Sequence, residues 1–106
     1  NLIDTEMLRN FKSSAIFINI GRGNLVVDND LLDALNTGVL KAATLDVFRQ
    51  EPLPLDHPFW DHSKIAITPH VSGWNVDDTI MDIAQNYLRL LNNERLLHEV
   101  DRDLGY

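Results

Sequence analysis

Four residues carry the chemistry that this sequence can do: Arg22, Asp46, Glu51 and His70. Each stands just past a short apolar run. Ala15-Ile16-Phe17-Ile18 leads into Asn19-Ile20-Gly21-Arg22-Gly23, Ala42 to Val47 ends around Asp46 with Glu51 following, and Ile65-Ala66-Ile67 leads into Thr68-Pro69-His70. The types are those of anion binding and proton transfer. A guanidinium offers a planar fork to a carboxylate or phosphate, and an imidazole titrates near neutral pH. Taken singly, each residue also suits a structural post. Arg22 could be a solvated turn residue, Asp46 a loop cap, Glu51 a surface charge and His70 a hydrogen-bonding histidine. Their joint placement past successive runs favours the chemical reading.

Two other patterns do not carry chemistry. Gly21-Arg22-Gly23 starts like G-x-G-x-x-G, but the sixth position is Val26 and the next helix starts late, so it is not a dinucleotide-binding turn. His57 and His62 stand beside Asp56 and Asp61 at a spacing that fits no metal motif, and they read as solvated loop residues. No metal site is expected. The chain has no cysteine, which excludes a disulfide scaffold, a thiolate zinc site and a cysteine nucleophile.

The apolar runs are short enough to be strands and are separated by helical patterns. Residues 4–12 read as a short helix capped by Asp4 or Thr5, with Met7, Leu8 and Phe11 on one side. Asp28 is placed as the cap of a second helix carrying Leu31, Leu32, Ala34 and Leu35, with Gly38 as its stop. From Phe48 to Lys64 the chain has three prolines and no period, so a long loop is expected. Val76, Ile80, Ile83, Ala84, Tyr87 and Leu91 follow helical spacing, and Asn92-Asn93 ends that helix. Leu96 to Tyr106 reads as a polar tail.

Strands alternating with helices predict an α/β fold with a parallel sheet. Three strands make half of a doubly wound, Rossmann-like sheet, and such sheets bind ligands beyond the carboxyl ends of their strands. That is where Arg22, Asp46, Glu51 and His70 would gather. The expected organisation is one incomplete domain over residues 1–106. Residues 1–74 form the half-sheet, and residues 75–106 form a long C-terminal helix and tail.

The charge narrows the partners. Nine basic and 16 acidic residues give a net charge of −7. So acidic a chain repels phosphate backbones and anionic lipid, so neither nucleic acid nor a membrane is an expected partner. No apolar run is long enough for a membrane span and no signal-peptide pattern opens the chain, which makes the cytoplasm the expected compartment. The edge of a half-sheet and the apolar stripe of the last helix predict self-association.

The segments INIGRGNLVVDNDLLDAL, AATLDVFRQEPLP and IAITPHVSG occur in an order and spacing that resemble the last half of the D-isomer-specific 2-hydroxyacid dehydrogenases, and VDRDLGY resembles a common ending of that family. The resemblance covers essentially the whole chain. It implies a C-terminal fragment of an oxidoreductase that passes hydride between NAD or NADP and a small 2-keto or 2-hydroxy acid. Arg22 would bind the substrate carboxylate, and His70 with Glu51 would form the proton relay. Asp46 would bond the nicotinamide carboxamide, and Ile20, Gly21, Arg22, His70, Ser72 and Gly73 would line the same end of the cofactor. The family's phosphate-binding loop, its ribose-reading acid and its lid domain would lie upstream of Asn1, which implies that these 106 residues are inactive alone. The same resemblance extends to the C-terminal-binding-protein corepressors, which leaves a nucleotide-dependent binding scaffold as the alternative.

Overall fold

The computed structural model describes residues 1–104. The chain divides into two units, Asn1–Gly73 and a second that begins at Trp74. In the first, α1 (Thr5–Leu8), β1 (Ile16–Asn19), α2 (Asp28–Asn36), β2 (Ala42–Leu45) and β3 (Ile65–Ile67) follow one another, with a 3₁₀ turn over Gly23–Leu25 between β1 and α2. The three strands are parallel and lie in the order β1-β2-β3. The half-sheet expected from the alternation of strands and helices is present.

The register decides which side chains meet. Phe17, Ala43 and Ile65 lie abreast, as do Asn19, Leu45 and Ile67. On that face Leu8 of α1, Leu31, Ala34 and Leu35 of α2, and Leu40 form the core. The β2–β3 connection adds Leu53 and Phe59 to it, although it has no regular period. Right-handed crossovers between strands in sequential order put both connections on one face. The opposite face is therefore bare within this unit: Ile16 and Ile18 are 53 % and 62 % exposed. The apolar run of β1 reads as buried on both sides, and only one side is covered.

Local differences from the expected elements have local causes. The first helix stops at Leu8 rather than running to residue 12. Asp4 caps it through the Met7 amide, and the Asn10 side chain then donates to the Glu6 carbonyl, which favours a turn over a continuing helix. The N-cap of α2 is Val27, not Asp28. The Val27 amide donates to the Ile3 carbonyl beside an Ile3–Val26 bridge, and this keeps the chain extended one residue longer. Asp28 and Asp30 then sit in the first turn, where the helix dipole favours acids. Asp30 also accepts from the Thr5 amide and so joins α2 to α1. Gly38, at φ +76°, follows α2 in the left-handed conformation that glycine adopts without strain.

In the second unit α3 spans Val76–Leu91. Asn75 caps it by accepting from the Asp78 amide, Asp77 and Asp78 occupy its first turn, and Arg89 its last. The chain leaves the helix at Asn92 and Asn93, the second at φ +55°. The Asn86 amide group ties the following segment back by donating to the Leu97 carbonyl and accepting from the Leu97 amide. No α3 residue is buried, so its apolar stripe is exposed. Residues 105 and 106, the end of the expected tail and of the VDRDLGY segment, lie outside the described residues. Among the described residues no helix is long and apolar enough to cross a membrane.

Candidate active site

Each strand's carboxyl end is shaped by a polar residue that belongs to it. At the end of β1, Asn19 is buried. Its side chain accepts from the Gly21 amide at 3.1 Å and donates to the Arg22 carbonyl at 3.0 Å, which folds Gly21-Arg22 into a fixed turn. Arg22 is extended (φ −145°, ψ 142°), and its Nη1 donates to the Gly21 carbonyl. Gly23 comes next, pressed against the chain that follows β2. A Cβ there would lie 1.8 Å from the Phe48 carbonyl carbon and 2.2 Å from the Arg49 nitrogen. Only glycine permits this approach.

Past β2, Asp46 is 1 % exposed and fully engaged. Its Oδ1 accepts from the Thr68 hydroxyl and from the Val71 amide at 3.0 Å, and its Oδ2 accepts from the Ser72 amide at 2.9 Å. The Thr68 hydroxyl, more than any other group, holds the Asp46 carboxyl far below the usual carboxylate range against the opposing effect of burial, with Ser72 and Val71 adding to it. Two residues after Asp46, the Phe48 amide donates to Glu51 Oε1 at 2.9 Å and turns that carboxylate back over the sheet end.

Past β3, the three donors to Asp46 bracket His70. This residue has φ +55°, a left-handed conformation that costs a side chain with a Cβ roughly 1 kcal/mol. The bonds to Asp46 on either side hold it there. His70 Nδ1 lies 2.8 Å from Glu51 Oε2. The Glu51 carboxyl is lowered first by the Phe48 amide, then by the His70 hydrogen bond, with the charges of His70 and Arg22 contributing. Arg22 stands past the end of the neighbouring strand β1, with its own side chain on the Gly21 carbonyl. Among the described residues His70 Nε2 makes no hydrogen bond, and half of the side chain is open to solvent.

Arg22, Asp46, Glu51 and His70 thus converge at the carboxyl ends of the three strands. Ile20, Gly21, Ser72 and Gly73 lie in the same loops. Ile20 is 60 % exposed, and a Cβ on Gly73 would touch nothing within 4 Å. The other histidines are elsewhere. His57 pairs with Asp28 at 3.6 Å and packs edge-on to Phe59, and His62 faces Asn36. Among the described residues no group of three or more acids and histidines is placed to hold a metal ion.

Three contributors are not singled out by the sequence pattern: Asn19, Thr68 and Gly23. Asn19 and Thr68 are polar residues at the ends of apolar runs, and that position is the available signal. Nothing local marks Gly23, because its neighbour is 25 residues away.

Comparisons with known proteins place the chain in a family and match its fold. The family described as "D-isomer specific 2-hydroxyacid dehydrogenase, NAD binding domain" matches residues 1–72. A glyoxylate/hydroxypyruvate reductase A from Photorhabdus laumondii is 41 % identical over 106 aligned residues, covering 99 % of this chain and 34 % of the relative. One from Serratia proteamaculans is 42 % identical with the same coverage. Among solved structures, an NADPH-dependent glyoxylate/hydroxypyruvate reductase from Sinorhizobium meliloti, in complex with NADP and sulfate, superposes with a TM-score of 0.88 at 32 % identity, covering 99 % of this chain and 35 % of its own. A D-isomer specific 2-hydroxyacid dehydrogenase from Xanthobacter autotrophicus, in complex with NADPH and MES, gives a TM-score of 0.85 at 37 % identity over 99 % of this chain and 44 % of its own. The chain spans about a third of the length of the curated relatives it matches.

Proposed function

Since the chain belongs to the D-isomer specific 2-hydroxyacid dehydrogenase family, within its NAD binding domain, we propose that the protein carrying it is a nicotinamide-dependent oxidoreductase acting on small 2-keto and 2-hydroxy acids. The observation that carries the reading is the His70–Glu51 pair, 2.8 Å apart beyond the carboxyl ends of the strands, with Arg22 past the end of β1 in the same sheet.

The donor set fits a nicotinamide dinucleotide and a keto acid. When bound, the cofactor supplies hydride to the keto carbon or accepts it from the hydroxy acid. The chain's own part is binding and proton transfer. The Arg22 fork binds the substrate carboxylate and polarises the neighbouring carbonyl. His70 gives a proton to the carbonyl oxygen from Nε2, the nitrogen left free by Glu51, and takes it back in the reverse reaction. Glu51 fixes the orientation of the ring through its contact with Nδ1. Ile20, Gly21, Ser72 and Gly73 line the nicotinamide end. Asp46 acts there by holding the Val71 and Ser72 amides, and with them the strained backbone of His70.

Steady-state reduction of glyoxylate and hydroxypyruvate by NADPH and NADH, using the whole protein that contains these residues, tests this reading. Turnover with either keto acid is expected. Binding of the dinucleotide without turnover of any 2-keto acid would refute it.

A further inference from the structure

Arg49 stands outside the proposed catalytic set, yet its side-chain bonds lead back to it. Its Nη2 donates to the Val26 carbonyl at 2.7 Å and to the Asn1 side chain. Among the described residues no carboxylate lies within ion-pair distance of its guanidinium. Val26 is 2 % exposed and ends the 3₁₀ turn that follows Arg22, its amide returning to the Gly23 carbonyl. Arg49 also touches this loop through its backbone, since its nitrogen lies beneath Gly23. One residue thus grips the Arg22–Val26 loop at both ends, with its main chain under Gly23 and its guanidinium on Val26. The same residue stands two positions before Glu51, between the Phe48 amide and the carboxylate that this amide orients.

We propose that Arg49 is a positioning residue that locks the loop carrying Arg22 against the loop carrying Glu51, and so sets the distance between the carboxylate-binding guanidinium and the His70–Glu51 pair. The inference rests on the catalytic reading above. A charged donor on a carbonyl makes a stronger bond than a neutral one, and this bond joins segments that no strand pairing connects. Its loss leaves each loop folded but frees one to move against the other. An error approaching 1 Å in such a placement is enough to slow an oriented reaction.

The test uses Arg49→Ala and Arg49→Lys in the whole protein. Arg49→Ala is expected to raise KM for the keto acid roughly tenfold and KM for the dinucleotide by no more than about twofold, because Arg22 binds the substrate carboxylate directly and only flanks one end of the dinucleotide. Arg49→Lys, which still reaches the Val26 carbonyl with a charged donor, is expected to recover most of that loss. Unchanged keto-acid KM in Arg49→Ala overturns the proposal. So does an equal rise in both KM values that follows a fall in the urea midpoint, the mark of a fold-only role, and so does a Lys variant as impaired as Ala. His70→Ala measured in parallel separates the two ideas. If it keeps normal turnover, the catalytic reading itself fails; if it loses turnover while Arg49→Ala is normal, only the brace is wrong.

Discussion

Gly23→Ala is the sharpest perturbation that this site offers, because the new methyl group collides with backbone on the opposite loop. The added Cβ would lie 1.8 Å from the Phe48 carbonyl carbon and 2.1 Å from its oxygen, whereas ordinary contact begins near 3.4 Å. One of the two loops must therefore retreat by about 1.6 Å, and no flexible side chain is there to yield. Overpacking of a tight site costs about 1–3 kcal/mol, and a backbone neighbour puts this case at the upper end. The same retreat separates Arg22 from Glu51, so keto-acid kcat/KM should fall at least about 10²-fold, the scale for an ångström of misplacement. Other glycines supply the controls. Gly73→Ala meets nothing within 4 Å at an ordinary φ and should leave stability within about 0.5 kcal/mol. Gly38→Ala also meets nothing but must hold φ +76°, which should cost about 1 kcal/mol through strain alone. Urea unfolding and steady-state kinetics on the whole protein rank the series. A Gly23→Ala protein as stable as the parent, with unchanged kcat/KM, would show that the Gly23–Phe48 approach does not couple the loops.

Three further outcomes follow from the site and the core. His70→Ala should lower keto-acid turnover about 10²–10⁴-fold, the usual worth of a general acid–base group. Arg22→Lys should be poorly tolerated, because an ammonium lacks the planar fork, and steady-state kinetics on each variant checks both. Asp46 and Glu51 are more acidic in the folded chain than in the unfolded one, so their support of the fold is complete above the ordinary carboxylate range and is lost as pH falls through that range toward their lowered values. Urea midpoints between pH 7 and 3 should therefore drop with acid, and Asp46→Asn, already weaker at pH 7, should drop less steeply. Leu31→Ala, at a fully buried position, should cost about 2–5 kcal/mol, read from the shift in the urea midpoint at constant slope.

What could be read from the sequence was what short-range chemistry fixes. The strands announced themselves as apolar runs between turn residues, α3 by the spacing of Val76, Ile80, Ile83 and Tyr87, and the end of α2 by Gly38. The gathering of the candidate residues was legible for a related reason: in a parallel sheet, residues that follow successive strands must come together, so Arg22, Asp46, Glu51 and His70 could be expected at one sheet end before any coordinates, while the pairing of His70 with Glu51 came from the family resemblance. The remainder depended on contacts between distant segments. Val27 displaces Asp28 as the helix cap because Ile3, far back in the chain, binds its amide. The two sides of β1 look alike in sequence, and only the hand of the crossovers leaves Ile16 and Ile18 uncovered. Leu53 and Phe59 enter the core from a connection without period, so no window of sequence marks them as buried. The engagement of Asp46 required knowing that Thr68, Val71 and Ser72 return to it.

The left-handed backbone at His70 places two demands on one position. The main chain there suits glycine, while the proposed proton chemistry requires an imidazole. Relief of a conformational strain of about 1 kcal/mol awaits any substitution that gives up the ring for glycine. Libraries screened only for heat resistance should therefore enrich Gly at position 70 and return robust, inactive proteins, a direct form of the trade between stability and activity. Selection for turnover at raised temperature would keep the histidine and direct its gains elsewhere, into the contacts that hold the loop around it.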